Sequence, residues 1–394
     1  MKIICATNMP LAREAFATLG DVVIKEGRAI AREDVRDAEL LVVRSTTKVN
    51  RALLEGSAVR FVGTATIGTD HLDIPYLDEN NVRWCYAPGC NANSVAEYVM
   101  TALLTLAQRH GFALAGKTLG VIGVGNVGNR VVEKAQALGL EVLLCDPPRE
   151  RGIVDCRLPI EDCGTGFLPL QEVLAEADIV TLHVPLTTGG DDPTYQMAND
   201  TFFAGMKRGA IFINSARGPV MDTEALLCAL DVGIVAHAVI DTWEGEPAYR
   251  HDLMPRVALA TPHIAGYSYE GRVNGTVMVY REACRFLGVA PTWLPDALLP
   301  TPSVPEIEMD VAGKATESVL YALCRRLYDI EADDARMRET ALDDDALRAV
   351  AFDRLRKTYP ERREFPHTSV VLRNADTALT AAVARLGFGG IMPR

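Results

Sequence analysis

The stretch Thr118-Leu119-Gly120-Val121-Ile122-Gly123-Val124-Gly125-Asn126-Val127-Gly128 constrains the fold more than any other part of the chain. A five-residue apolar run suits a buried strand, a G-x-G-x-x-G turn follows it, and a helical pattern over Val127–Leu138 begins at once. The glycine pattern alone is weak, but between a strand and a helix it is the context a dinucleotide-binding turn needs. There the backbone approaches a pyrophosphate closely and the helix N-terminus favours its charge. Gly139 stands where a helix C-terminal cap belongs. The next strand, Glu141–Cys145, ends in Asp146, 18 residues after Gly128. A carboxylate at that spacing accepts the ribose hydroxyls and repels the extra phosphate of NADP, so the expected cofactor is NAD.

The same alternation of short apolar runs and helical patterns extends from the N-terminus to about residue 290. Expected strands are Lys2–Ala6, Leu40–Val43, Arg60–Gly63 and Arg83–Tyr86, then Thr118–Ile122, Glu141–Cys145, Ile179–Leu182, Ala210–Asn214, Ala238–Asp241 and Val257–Ala260. Runs that are nearly all apolar suit parallel strands covered on both faces. The pattern predicts two doubly wound, Rossmann-like α/β domains. Ser94-Val95-Ala96-Glu97 has capping-box spacing and is expected to start the helix that carries the chain into the second domain. A helix over about Val273–Phe286 would carry it back. The expected domains are therefore 1–95 with 266–290, binding substrate; 96–265, binding NAD; and 291–394, a small α+β dimerisation domain. That last unit follows a linker holding Pro291, Pro295, Pro300, Pro302 and Pro305. Within it, Ala315–Leu327 reads as an amphipathic helix whose Val319, Leu320, Leu323 and Leu327 would meet a second copy in a homodimer. A further helix over Asp343–Thr358 and a strand at Val370–Leu372 complete it.

Composition narrows the partners. A net charge of -12 argues against nucleic acid or an anionic membrane as the main partner. No apolar run reaches the length of a membrane span. Nine scattered cysteines without a C-x-x-C pair suit a reduced, cytoplasmic protein and suggest no metal site.

Three clusters follow strands downstream of the glycine turn: Asn214-Ser215-Ala216-Arg217-Gly218, Asp241-Thr242-Trp243-Glu244-Gly245-Glu246-Pro247 and Thr261-Pro262-His263-Ile264-Ala265-Gly266-Tyr267. Open parallel sheets bind ligands beyond the carboxyl ends of their strands. Oxidising a 2-hydroxy acid removes a hydroxyl proton while hydride leaves the same carbon. A neutral imidazole can take that proton, a carboxylate can fix its tautomer, and a guanidinium can hold the substrate carboxylate. His263, a glutamate and Arg217 suit those roles; spacing alone does not decide between Glu244 and Glu246. His183-Val184-Pro185-Leu186-Thr187 reads as a cofactor-contacting loop, and His237, inside a strand pattern, as structural.

The glycine turn, Asp146, HVPLT, NSARG, DTWEGEP and TPHIAG together resemble the D-isomer-specific 2-hydroxyacid dehydrogenase family over roughly residues 40–290. The resemblance implies that Glu246 is the carboxylate partner and that Asp241 lies at the nicotinamide end. It further implies NAD contacts from Asn126, Val127, Val184, Ser215, Ala216, Arg217 and Gly266. The stretches Val43–Val49, Gly63–Asp73 and Gly266–Ser268, with the tail around Leu327–Asp329 and Leu355–Glu364, are similar to one branch of the family, which acts on a phosphorylated 2-hydroxy acid. That likeness implies substrate contacts from Ser45, Thr66 and Tyr267. Arg44 and Lys48, just after a first-domain strand, are the expected phosphate cations. Asp191-Asp192-Pro193 departs from the pattern as an insert-like loop. The alternatives are another family member, such as a phosphoglycerate dehydrogenase, and an NAD-sensing binding protein without turnover.

Overall fold

The structure, a computed structural model, describes residues 1–152 and 166–393. They form two compact units: Met1–Asn91 with Ser268–Thr301, and Ala92–Tyr267 with Pro302–Arg394.

The first unit holds a parallel sheet of β1 (Lys2–Ala6), β2 (Asp21–Lys25), β3 (Leu40–Val43), β4 (Phe61–Thr64) and β5 (Arg83–Cys85), in the order β2-β1-β3-β4-β5. Strand periodicity sorts its side chains cleanly. Ile3, Cys5, Leu40, Val42 and Phe61 pack with Ala12, Phe16, Val279, Tyr280 and Ala283. Ile4, Ala6, Leu41, Val43 and Val62 face Val35, Leu53, Leu54 and Leu77. Helix Tyr269–Leu287 covers the first of these faces.

The second unit has a six-stranded parallel sheet: β6 (Thr118–Ile122), β7 (Glu141–Cys145), β8 (Ile179–Leu182), β9 (Ala210–Asn214), β10 (Val235–Ile240) and β11 (Leu259–Ala260), ordered β11-β10-β9-β8-β6-β7. The chain leaves β6 for β7 on one side and returns to β8 on the other. This topological switch point is where doubly wound sheets bind nucleotides. β12 (Glu306–Asp310), β13 (Ser369–Arg373) and β14 (Gly389–Pro393) form a small parallel sheet in the same unit.

Two sequence expectations change. Ser94 does not cap a helix: helix Ala92–His110 begins before it, and Ser94 lies buried inside, donating from Oγ to Ala265 O at 2.8 Å. Glu97, its supposed capping partner, is buried too and accepts Phe365 N at 3.0 Å and Asn93 Nδ2 at 2.8 Å. The tail, Pro302–Arg394, belongs to the second compact unit, and its helix Thr316–Leu327 does not present an open apolar face. Val319, Leu320 and Leu323 are fully buried in one core with Val95, Val99 and Leu103 of helix Ala92–His110. The apolar face assigned to a second copy is thus covered by its own chain. Part of the proline-rich linker instead belongs to the first unit, where Trp293 stacks edge-on against Tyr280 at 5.7 Å.

Candidate active site

Gly123 follows β6 at a φ of +86°, which a side chain rarely adopts, and a Cβ there would lie 2.8 Å from the carbonyl of His183. This close approach joins the glycine turn to the HVPLT loop after β8. Helix Asn126–Ala135 starts at Gly125 without a side-chain cap, and nothing lies within 4 Å of a Cβ built on Gly125. Uncapped first-turn N–H groups beside open space are what a pyrophosphate requires. Asp146, at the end of β7, accepts Val124 N at 2.8 Å through Oδ2 and Arg149 N at 3.1 Å through Oδ1. Both oxygens retain lone pairs for ribose hydroxyls. Along the neighbouring strand ends, His183 Nδ1, Ser215 Oγ and Thr242 Oγ1 are buried with no partner among the described residues. Buried polar atoms are seldom left unpaired, so the set fits a polar ligand such as NAD. Burial holds the His183 imidazole down at about 3, so it is neutral. In the inserted loop, Asp192 forms an ion pair with Arg151.

Two of the catalytic candidates, Glu246 and His263, meet beyond the ends of β10 and β11, while Arg217 follows β9 with its Nη1 donating to Ala216 O at 2.8 Å. His263 Nδ1 lies 2.5 Å from Glu246 Oε1, and Glu246 Oε2 accepts Trp243 N at 3.2 Å. Burial alone would raise the Glu246 carboxyl. The charge and hydrogen bond of His263, the Arg356 guanidinium and the Trp243 amide together hold it below the usual carboxylate range. Glu246 is therefore ionised and acceptor-only, which places the proton on His263 Nδ1 and leaves Nε2 as the basic nitrogen. Glu244 is excluded as the partner: its Oε2 accepts Thr223 N at 3.1 Å, at the start of helix Thr223–Asp231.

His263 has a φ of +56°, in the left-handed region that non-glycine residues avoid. Asp241 maintains it. The Asp241 carbonyl accepts His263 N at 2.7 Å, and its carboxylate takes Thr261 Oγ1 at 2.7 Å, Ile264 N at 2.8 Å and Ala265 N at 3.0 Å. Burial pushes the Asp241 carboxyl up, opposed by His263 and these bonds. About one of its four lone-pair directions remains for a nicotinamide contact. Tyr98 OH supports Thr261 Oγ1 at 2.8 Å.

Asn214 shapes the loop after β9, accepting Ala216 N at 3.1 Å and donating to Arg217 O at 3.2 Å. A Cβ on Gly218 would sit 1.9 Å from Trp243 O, so glycine brings the Arg217 loop against the Trp243–Glu246 turn. Gly266 and Tyr267 follow in the His263 loop, and Tyr267 meets Tyr359 edge-on at 5.9 Å. His237 stacks on His110 at 4.0 Å within its strand.

In the first unit, the loops after β3 and β4 are tied by Val49 N donating to His71 O at 2.8 Å. Ser45 and Lys48 are exposed there and Arg44 is half-buried. Thr66 Oγ1 donates to Gly68 O at 2.8 Å and lies 2.8 Å from Thr64 Oγ1, which is 2.8 Å from His71 Nε2. Burial holds His71 at about 4, despite Asp70, so a neutral imidazole anchors Thr64, which in turn meets Thr66. Nothing in the sequence singles out His71 beyond its place in the same stretch as Thr66.

The fold and this site define an NAD-dependent dehydrogenase of the 2-hydroxyacid class. Residues 93–265 match the family described as D-isomer specific 2-hydroxyacid dehydrogenase, NAD binding domain, and residues 298–387 match a domain of unknown function. Among solved structures, the TT0316 protein of Thermus thermophilus superposes with a TM-score of 0.61 at 26% identity, over 74% of this chain and 99% of that one. The erythronate-4-phosphate dehydrogenase of Stutzerimonas stutzeri is 43% identical over 98% of this chain and 99% of its own length. That of Cronobacter sakazakii is 45% identical over 98% of both. The chain belongs to the erythronate-4-phosphate dehydrogenase family.

Proposed function

We propose that the chain oxidises 4-phospho-D-erythronate at C2 to (R)-3-hydroxy-2-oxo-4-phosphooxybutanoate, a step in pyridoxal 5'-phosphate biosynthesis. The observation that carries this reading is the Glu246–His263 pair at 2.5 Å, in a chain similar over nearly its whole length to relatives of that name. His263 Nε2 takes the C2 hydroxyl proton while Glu246 stabilises the imidazolium that forms. Arg217 binds the substrate carboxylate and the oxygen that becomes a carbonyl. NAD, when bound, accepts the electron pair and hydrogen leaving C2. Gly123, Gly125, Asn126, Val127, Gly128, Asp146, Val184, Ser215, Ala216, Asp241 and Gly266 hold it. Ser45, Thr66 and Tyr267 hold the substrate, and Arg44 and Lys48 its phosphate. The test is cofactor reduction, followed by absorbance, with 4-phosphoerythronate, erythronate and 3-phosphoglycerate in parallel. Faster reduction with 3-phosphoglycerate would sink the assignment.

The active form is a homodimer in the cytoplasm. Among the described residues no helix is long and apolar enough to cross a membrane. Leu347 and Val350 lie three positions apart on helix Asp345–Lys357 and are 59% and 66% exposed, a spacing that makes one apolar face. Light scattering on Leu347→Glu/Val350→Glu should report a monomer where the parent chain is a dimer. A variant that stays dimeric places the interface elsewhere.

A further inference from the structure

The C-terminal segment grips the loop that carries His263 at three points. Asp334, on helix Ile330–Arg338, accepts Ala260 N at 2.8 Å through Oδ1, at the end of β11. Arg362 donates to Ala265 O at 2.5 Å and lies 4.4 Å from the Tyr328 ring centroid. Arg356, on helix Asp345–Lys357, reaches Tyr267: its guanidinium lies 5.4 Å from the ring centroid and hydrogen-bonds that side chain. These contacts bracket residues 260–267.

We propose that Arg356 is a positioning residue of the active site, supplied by the segment that matches a domain of unknown function, and that it holds Tyr267 in place while setting the charge around the Glu246–His263 pair. This rests on the proposed role of His263 as base.

Arg356 is placed for that task. Its Nε is buried with no hydrogen-bond partner among the described residues. Burial works against its charge, yet Tyr267, Glu246 and Asp241 together keep the guanidinium firmly protonated. Other ionisable groups packed near the His263 loop have partners of their own. Asp333 accepts Tyr359 OH at 2.8 Å and pairs with Arg336, and Asp334 binds Arg338 at 2.9 Å. Tyr98 is bonded to Thr261. The Arg356 guanidinium acts on the Glu246 carboxylate. A positive charge beside a carboxylate–imidazole pair disfavours the imidazolium. Removing it lets the base hold its proton to higher pH.

The experiment compares Arg356→Met and Arg356→Lys with the parent chain. The pH dependence of kcat/KM is measured with 4-phosphoerythronate. The pH dependence of diethyl pyrocarbonate modification is measured separately on the NAD-loaded protein, with His263→Ala as the background. Arg356→Met should move both rising limbs to higher pH by about half to one unit, a three- to tenfold loss on the acid side. Arg356→Lys should return them most of the way, and NADH binding should hold within twofold. Unmoved limbs in Arg356→Met, or a shift that lysine does not recover, overturns the proposal. If the parent chain fails to oxidise 4-phosphoerythronate, the substrate assignment falls, while the modification profile still decides the role of Arg356. Should Arg356→Met not fold, Arg356→Gln gives the same charge change with a hydrogen-bonding side chain.

Discussion

Gly218→Ala tests whether the active site depends on the close seating of two loops. A methyl at position 218 would lie 1.9 Å from Trp243 O and 2.6 Å from Glu244 N. Real contacts of this kind do not fall below 3.0 Å, so the backbones must separate by the difference, about 1.1 Å. Both neighbours are backbone atoms, and no rotamer change relieves the clash. One loop carries Arg217 and the other turns into Glu246, so the separation moves the guanidinium relative to the base. A misplacement of about 1 Å costs on the order of 100-fold in rate, or about 2.7 kcal/mol of transition-state stabilisation. The glycine turn at residues 123–128 follows another strand and keeps its contacts, so NADH binding, which loses at most part of the Ser215–Ala216 contribution, should fall far less than kcat/KM. The assay is kcat/KM for Gly218→Ala beside fluorescence titration with NADH. Gly189→Ala is the control, because its Cβ meets nothing within 4 Å. If Gly218→Ala keeps kcat/KM within threefold of the parent, the loops tolerate the shift and the positioning argument is wrong.

His263→Ala and Arg217→Ala should each lower turnover by about 100- to 10,000-fold while cofactor titration still shows NADH binding; near-normal turnover in His263→Ala would remove it as the base. Glu246→Gln takes away the negative charge that favours the imidazolium, so the rising limb of the kcat/KM profile should move to lower pH, and a move upward would contradict the pairing. Asp146→Ala should weaken NAD binding and narrow the preference over NADP, measured by titrating both cofactors; an unchanged ratio would place the ribose elsewhere. Arg44→Ala and Lys48→Ala should reduce the discrimination between 4-phosphoerythronate and erythronate, and full discrimination in both would assign the phosphate to other cations.

Local chemistry was enough to determine much of this protein. The strand–glycine–helix order, Asp146, and the clusters at the ends of β9 to β11 were legible because strand periodicity and glycine requirements act over a few residues. That these clusters meet at one sheet edge follows from the topology of parallel sheets. The choice between Glu244 and Glu246 was not local, since they lie two positions apart and both follow the same strand. The structure decides it by giving Glu244 to a helix start and Glu246 to His263. Ser94–Glu97 shows the opposite failure: a valid capping pattern was overridden by burial, because both side chains found partners distant in sequence. The fate of the tail was likewise beyond the sequence. An amphipathic face records that something must cover it, not what does, and here helix Ala92–His110 covers Val319, Leu320 and Leu323. The same packing brings Arg356 to Tyr267 and Glu246. Contacts across such separations are selected by the packing of whole elements, which no short stretch of sequence encodes, so only the tertiary structure could place the C-terminal segment at the active site.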